Sequence, residues 1–366
     1  MARLRVGLIF GGHSAEHEIS LQSANHIVDM IDKNKFDVIL LGIDKEGQWH
    51  LQDNLDYLIN YDNPKYIALK KSNKNIAIIP GRKQHQLVNI DTLEALSQQL
   101  DVIFPIVHGT LGEDGSMQGL LCMANLPFVG SPVLGSAVSM DKDIAKRLLR
   151  DANITVVPSI TITSANYENF SYDKIIDNLG PSLFIKPANQ GSSVGVSKVT
   201  DRISFDKALT LAFRFDNKVL VESTIQGREL ECAVLGNNKP QTSVCGEIIL
   251  REPFYSYEKK YFSTYGVQIV VPADINKEIS NTIRCVAVNA FNALNCAGMA
   301  RVDFFLTDKN QILVNEVNTL PGFTKFSMYP KLWQASGVSY TELISRLIEL
   351  AIERYDENKH RLQQLN

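Results

Sequence analysis

Ala300-Arg301-Val302-Asp303-Phe304-Phe305-Leu306, the turn Thr307-Asp308-Lys309-Asn310, and Gln311-Ile312-Leu313-Val314-Asn315-Glu316-Val317-Asn318 read as one β-hairpin. The first run alternates like a half-buried strand, and the second returns beside it. Pairing Leu306 with Gln311 sets Arg301 opposite Glu316, with Asp303 one diagonal step away. Side chains alternate faces along a strand, so Arg301, Asp303, Glu316 and Asn318 then project from one face. Two carboxylates and an amide oxygen suit Mg²⁺, which takes a few protein oxygens and keeps its other positions for water and phosphate. A solvated hairpin face with a cross-strand Arg–Glu pair fits the same residues, and spacing alone does not choose between them.

Working outward, a chain of 366 residues has room for two or three domains. Its composition, 45% hydrophobic and 21% charged, is that of an ordinary globular protein with a sizeable core. A net charge of −3 gives no reason to expect nucleic acid or an anionic membrane surface as a partner. Cys122, Cys232, Cys245, Cys285 and Cys296 form no CxxC pair, which fits free thiols in a reducing compartment. No apolar run approaches a membrane span, and the apolar stretch Val6 to Phe10 runs straight into Gly11-Gly12, unlike a signal peptide. The expectation is a cytoplasmic protein.

Leu4 to Phe10 predicts a strand, Gly11-Gly12 a turn, Ser14 an N-cap for a helix through about Met30, and Phe36 to Ile43 a second strand. This order argues for an open α/β domain with a parallel sheet. Residues 48–99 are polar and carry no motif. Asp101 to Val107 predicts a further strand, ending in the loop from His108 to Gly115. A helix over Asp141 to Arg150 leads to short strands at 183–186, 194–199 and 219–222. Strands at 230–235 and 241–250 and a helix at 277–295 precede the hairpin. In the tail, 340–354, Leu343, Leu347, Leu350 and Ala351 lie on one helical stripe that docks on a core. The predicted divisions are an N-terminal α/β domain at 1–131, a central part at 132–229 and a C-terminal part at 230–366.

Lys186-Pro187-Ala188-Asn189-Gln190-Gly191-Ser192-Ser193-Val194-Gly195 is a Gly/Ser loop between two strands. Small residues let backbone N–H groups approach phosphate oxygens, the Ser192 and Ser193 hydroxyls add donors, and Lys186 adds a point charge. A flexible hairpin tip would look the same in isolation. It is neither a Walker A loop nor a dinucleotide fingerprint. Beside the carboxylate hairpin, Mg-nucleotide chemistry explains both segments together.

These segments resemble the D-alanine–D-alanine ligases of the ATP-grasp superfamily. The resemblance rests on Gly11 to Ser20, on His108-Gly109 with Gly112-Glu113-Asp114-Gly115, and on Ser139 to Lys142. It continues through Lys186 to Gly195, Tyr257 to Tyr261, Arg301 to Asp303 and Glu316 to Thr324, all in family order. It implies an N-terminal α/β substrate domain followed by a two-part ATP-grasp fold. The implied reaction is ATP-dependent joining of two D-alanines through an acyl phosphate, for peptidoglycan precursors. Asp303, Glu316 and Asn318 would hold two Mg²⁺ or Mn²⁺ ions, and Lys142, Lys186 and Ser193 would meet the phosphates. Glu222 would accept from the adenine amino group, and Glu229 would bind the ribose. Glu16, otherwise a helix-dipole residue, would pair with the first D-alanine's ammonium and link to Ser192 and Tyr261. His108 would neighbour that substrate. Lys260 and Ser327 would bind the second D-alanine's carboxylate, and Arg301 with the Gly322 N–H would form an oxyanion hole.

Glu252 to Tyr261 has no regular period and reads locally as a surface loop with snorkelling side chains. The resemblance makes it a lid that excludes water. By the same resemblance, its Lys260-Tyr261 pattern, which relatives that make the D-lactate ester lack, implies an amine acceptor. The rival readings are another ATP-grasp carboxylate–amine ligase, a depsipeptide ligase, and a non-catalytic nucleotide sensor. A homodimer is expected from the resemblance alone.

Overall fold

The computed structural model describes residues 3–53, 56–250 and 267–363, which form three principal sheets. β1 (Leu4–Gly11) is an apolar run buried along most of its length, as suits a strand covered on both faces. Helix α1 (His17–Met30) crosses over to β2 (Phe36–Ile43), which pairs with β1 in parallel. β3 (Trp49–Leu51) adds an antiparallel edge. The stretch that carried no motif closes two small hairpins, β4 (Leu58–Ile59) with β5 (Ala68–Leu69) and β6 (Ile76–Ile78) with β7 (Leu87–Asn89). β8 (Val102–Pro105) then returns parallel to β1, so the order is β3-β2-β1-β8. The expected parallel sheet is present, with an unforeseen antiparallel edge.

Helix α1 starts later than expected, and Ser14 does not cap it. Ser14 Oγ donates to the His108 carbonyl at 2.8 Å and accepts the Glu16 N–H at 3.2 Å, leaving Glu16 in the N-cap position. Its position is set by the loop at His108, so the amide that it accepts is that of Glu16, one residue ahead of the helix, and not an amide of the first turn.

Helices α2 (Ser116–Met123), α3 (Val133–Met140) and α4 (Lys142–Asp151) lead to the second sheet. Asp141 caps α4, its Oδ1 accepting from the Asp143 and Ile144 N–H groups at 3.1 Å each. β9 (Ser159–Thr163), α5 (Tyr172–Leu179), β10 (Leu183–Pro187), β11 (Ser197–Val199), α6 (Arg202–Ala212) and β12 (Lys218–Ser223) follow. Their strands form an antiparallel sheet ordered β11-β10-β12-β9. β11 is shorter than expected, because residues 194–196 belong to the loop.

The third sheet contains β13 (Gly227–Gly236), β14 (Gln241–Leu250) and β15 (Val267–Val270), then, after α7 (Lys277–Ala293), β16 (Gly298–Thr307) and β17 (Ile312–Asn318). It is antiparallel, ordered β15-β14-β13-β16-β17. The hairpin pairs differently from the expectation. Leu306 faces Ile312, and a bulge at Asn315 sets Asp303 opposite Glu316 and Arg301 opposite Asn318. Without that extra residue Asp303 would face Asn315 and Arg301 would face Val317, turning Glu316 and Asn318 to the opposite side. The shared face therefore depends on a bulge that the alternation did not reveal.

Helices α8 (Met328–Ala335) and α9 (Tyr340–Gln363) close the chain. Leu343, Leu347 and Ala351 of α9 are buried as foreseen, with Leu350 packed at their edge, in one core with Val6, Leu8, Phe104, Leu235 and Met299. Arg354 pins α9 by donating to the Phe128 carbonyl at 2.8 Å and to that of Gly130. All five cysteines are free thiols. Among the described residues no helix is long and apolar enough to cross a membrane.

Candidate active site

Glu16 is only 8% exposed, at the start of α1. Ser192 Oγ, from the loop between β10 and β11, donates to its Oε1. A Cβ on Gly109 (φ +76°) would lie 2.7 Å from Glu16 Oε2, and one on Gly191 would lie 2.8 Å away. Gly109, which also needs its left-handed backbone, and Gly191 let both loops approach this carboxylate without displacing it. Ser192 (φ 49°) and Ser193 (φ 62°) sit in the left-handed region. That conformation costs a non-glycine residue about 1–2 kcal/mol, so the loop is shaped for a task other than stability.

His108, 3% exposed, anchors the opposite wall. The Phe323 N–H donates to Ser23 Oγ at 3.2 Å, the Ser23 hydroxyl donates to His108 Nε2 at 3.1 Å, and His108 Nδ1–H donates to the Leu320 carbonyl at 3.1 Å. Burial holds the imidazole below its usual range, consistent with this neutral tautomer. The relay fixes the segment after β17 that carries Gly322. There Ser327 Oγ accepts the Thr324 N–H at 3.0 Å, and a Cβ on Gly322 would lie 2.8 Å from that oxygen. Ser327 and Gly322 thus share one corner.

Glu113, which the sequence reading quoted without a role, accepts the Gly109 N–H at 2.7 Å. Burial, and then the neighbouring Glu16 carboxylate, push its carboxyl up to about 8. The raised value means that its stabilising proton is fully in place below the ordinary value of 4.5 and is lost as pH rises through about 8. Between pH 5 and 8.5, wild type should lose roughly 4 kcal/mol more stability than Glu113→Gln in denaturant titrations, and parallel curves would remove this assignment.

The two expected phosphate lysines approach from different elements. Lys142 Nζ, on α4, donates to the Gln190 carbonyl at 2.7 Å and lies 3.8 Å from Glu316 Oε2. Lys186 Nζ, on β10, lies 2.6 Å from Glu222 Oε2 and 3.4 Å from Asn315 Oδ1, the side chain of the bulge residue. Although burial opposes its charge, Glu222 and Glu316 hold Lys186 above its usual range.

On the third sheet, Arg301 forks onto Asp303 with Nε and Nη2 each at 2.7 Å, and its Nε also lies 2.9 Å from Glu231 Oε2. Asn318 Nδ2 donates to Asp303 Oδ2 at 3.0 Å. Strand register places Glu231 opposite Asp303, so Glu231 and Glu229, two residues apart, share this face. Among the described residues no three His, Cys, Asp or Glu side chains converge as a metal cage. Register sets Asp303 directly opposite Glu316, with Asn318 two residues further along the same strand, so their carboxylate and amide oxygens would make an all-oxygen set of low denticity. Such a set fits Mg²⁺, whose remaining positions go to phosphate and water.

The chain matches two family descriptions, "D-ala D-ala ligase N-terminus" over residues 5–131 and "D-ala D-ala ligase C-terminus" over residues 148–349. The D-alanine--D-alanine ligase of Baumannia cicadellinicola is 73% identical over 355 residues, covering 97% of this chain and 94% of that protein.

The chain belongs to the D-alanine–D-alanine ligase family.

Among solved structures, the D-alanine–D-alanine ligase from Coxiella burnetii superposes with a TM-score of 0.83 at 37% identity, covering 99% of each chain. The VanG D-Ala:D-Ser ligase from Enterococcus faecalis has a TM-score of 0.82, also at 37% identity, and covers 96% of this chain and 100% of its own. The ATP-grasp architecture expected from the sequence is the fold of this ligase family.

The fold brings Glu16 to Ser192, Lys142 to Glu316 and Lys186 to Glu222, joining separate segments of the sequence, and sets Arg301 on Asp303 within one strand. Glu229 is placed on the hairpin face by register. Lys260 and Tyr261 lie outside the described residues. The sequence reading missed Lys146, Glu231 and Asn315. The Glu229-Leu230-Glu231 alternation could have disclosed Glu231, and Lys146 stands one helical turn after Lys142.

Proposed function

We propose that this chain joins two D-alanine molecules into D-alanyl-D-alanine, converting ATP to ADP and phosphate, as a step of peptidoglycan precursor synthesis. The observation that carries this reading is the meeting of Glu16 with the loop hydroxyl of Ser192, within a fold whose relatives are D-alanine–D-alanine ligases. A carboxylate at neutral pH is a poor acylating agent. An oxygen of the first D-alanine's carboxylate attacks the γ-phosphorus, ADP leaves, and an acyl phosphate forms. The second D-alanine's uncharged amine attacks the carbonyl carbon, and the tetrahedral intermediate loses an N–H proton to solvent and expels phosphate to leave the amide.

We assign the residues as follows. Glu16 binds the first ammonium, oriented by Ser192 and Tyr261, with His108 shaping the adjoining wall. Lys142, Lys186 and Ser193 bind the phosphates, Glu222 the adenine amino group and Glu229 the ribose. Arg301 and the Gly322 N–H donate to the developing oxyanion. Lys260 and Ser327 hold the acceptor's carboxylate. Asp303, Glu316 and Asn318 would hold two Mg²⁺ (or Mn²⁺), whose charge offsets that of the phosphoryl oxygens.

We infer a three-part organisation at 1–131, 132–229 and 230–366; the presence of three separate sheets supports it, although β13 spans the second boundary. Free thiols and dependence on ATP support a cytoplasmic enzyme. Family membership supports a homodimer.

Phosphate release from Mg-ATP, with D-alanine, L-alanine or no amino acid, tests the reading. Release should require D-alanine and yield the D,D-dipeptide by mass. Adding D-serine and D-lactate as competing acceptors checks the second site, because a D-Ala:D-Ser ligase shares this fold. Folded protein that binds ATP but releases no phosphate with D-alanine would overturn the assignment.

A further inference from the structure

Lys146 is a buried charge that the mechanism above does not use. It lies one turn after Lys142 on α4 and is 2% exposed. Its Nζ lies 3.1 Å from Glu222 Oε1 and 3.4 Å from the Val157 carbonyl, while Lys186 takes the other Glu222 oxygen at 2.6 Å. Glu222 is itself 3% exposed. Its Oε1 makes no aligned hydrogen bond, so that oxygen keeps lone pairs for a further donor while Lys146 supplies charge beside it.

We propose that Lys146 is the positioning residue for base selection: by keeping Glu222 ionised and acceptor-only, it sets the preference for a 6-amino over a 6-oxo purine. The inference rests on the assignment of Glu222 to the adenine amino group. A carboxylate can accept the exocyclic N–H of adenine but repels the carbonyl of hypoxanthine or guanine. A protonated carboxyl could donate to that carbonyl, and the distinction would fade. Burial pushes Glu222 toward protonation, yet Lys146 first and Lys186 second outweigh it and hold the carboxyl below its usual range. Lys186 also faces Asn315 and, in the proposed mechanism, the phosphates. Lys146 takes the Glu222 oxygen that Lys186 leaves, and its other contact is the uncharged Val157 carbonyl.

The test compares kcat and KM for Mg-ATP and Mg-ITP in wild type, Lys146→Met, Lys146→Arg and Glu222→Gln. Lys146→Met should raise the KM for ATP about tenfold with kcat within a few-fold, and lower the ATP/ITP ratio of kcat/KM by about tenfold or more. Lys146→Arg should restore the ratio, and Glu222→Gln should abolish it. If Lys146→Met does not fold, Lys146→Gln makes the same neutralisation while keeping a donor for Val157. An unchanged ratio in the neutral Lys146 variants, with Glu222→Gln collapsing it, overturns the proposal and leaves the Glu222 assignment standing. An unchanged ratio in Glu222→Gln as well overturns both.

Discussion

Asp303→Asn should lower kcat by roughly 10³-fold while thermal unfolding moves by only a few degrees. Asparagine keeps the shape of the side chain and one oxygen. It loses the charge that would face Mg²⁺ and half of the fork with Arg301. Folding survives because Arg301 retains Glu231 at 2.9 Å, and because strands β16 and β17 are held by backbone pairing. Steady-state kinetics and calorimetry on the same preparation check this. A loss of stability in proportion to the loss of rate would make Asp303 a structural anchor and sink its role as a metal ligand.

Arg301→Lys should cost about 10²–10³-fold in kcat, with the KM for ATP within a few-fold of wild type. Lysine preserves charge but offers a compact ammonium in place of a planar fork. It cannot hold Asp303 at two atoms, meet Glu231, and donate to an oxyanion as well. Arg301→Met should behave differently and lose about 3–5 kcal/mol of stability, because Glu231 and Asp303 would face each other without a counter-charge. Kinetics and denaturant titration of the pair separate the roles. Equal rates for the lysine variant and wild type would show that the fork is dispensable in turnover.

How far the sequence disclosed this site follows from the kind of signal each part carries. Alternation in 300–306 and 311–318 located the hairpin, because period two is written directly into polarity, but the shared face arises through the bulge at Asn315. The register was misjudged twice: the turn takes one residue more than expected, pairing Leu306 with Ile312, and the bulge at Asn315 adds another with no compositional mark. Asp141 and the apolar stripe of α9 were legible from local rules, whereas Ser14 obeyed a distant partner, the carbonyl of His108, rather than its own helix. The roles of Glu16 and His108 came only through family resemblance. Their chemistry depends on Ser192 and Leu320, each far along the chain. Lys146 escaped notice because a lysine in a charged helix looks solvent-facing until the tertiary fold buries it.

Helix α9 has a consequence for the order of synthesis. The sheet made first, from β1, β2 and β8, shares its core with Leu343, Ile344, Leu347 and Ile348, near the end of the chain. Thr341 Oγ1 also donates to the Met30 carbonyl at 2.8 Å. A nascent chain leaving the ribosome can form those early strands and lay Leu21, Ala24 and Ile27 of α1 on them, but the part of the core that α9 fills stays open until nearly the last helix emerges. A transcript truncated shortly before Tyr340 should therefore yield a product with exposed apolar core, prone to aggregate, rather than a smaller ligase.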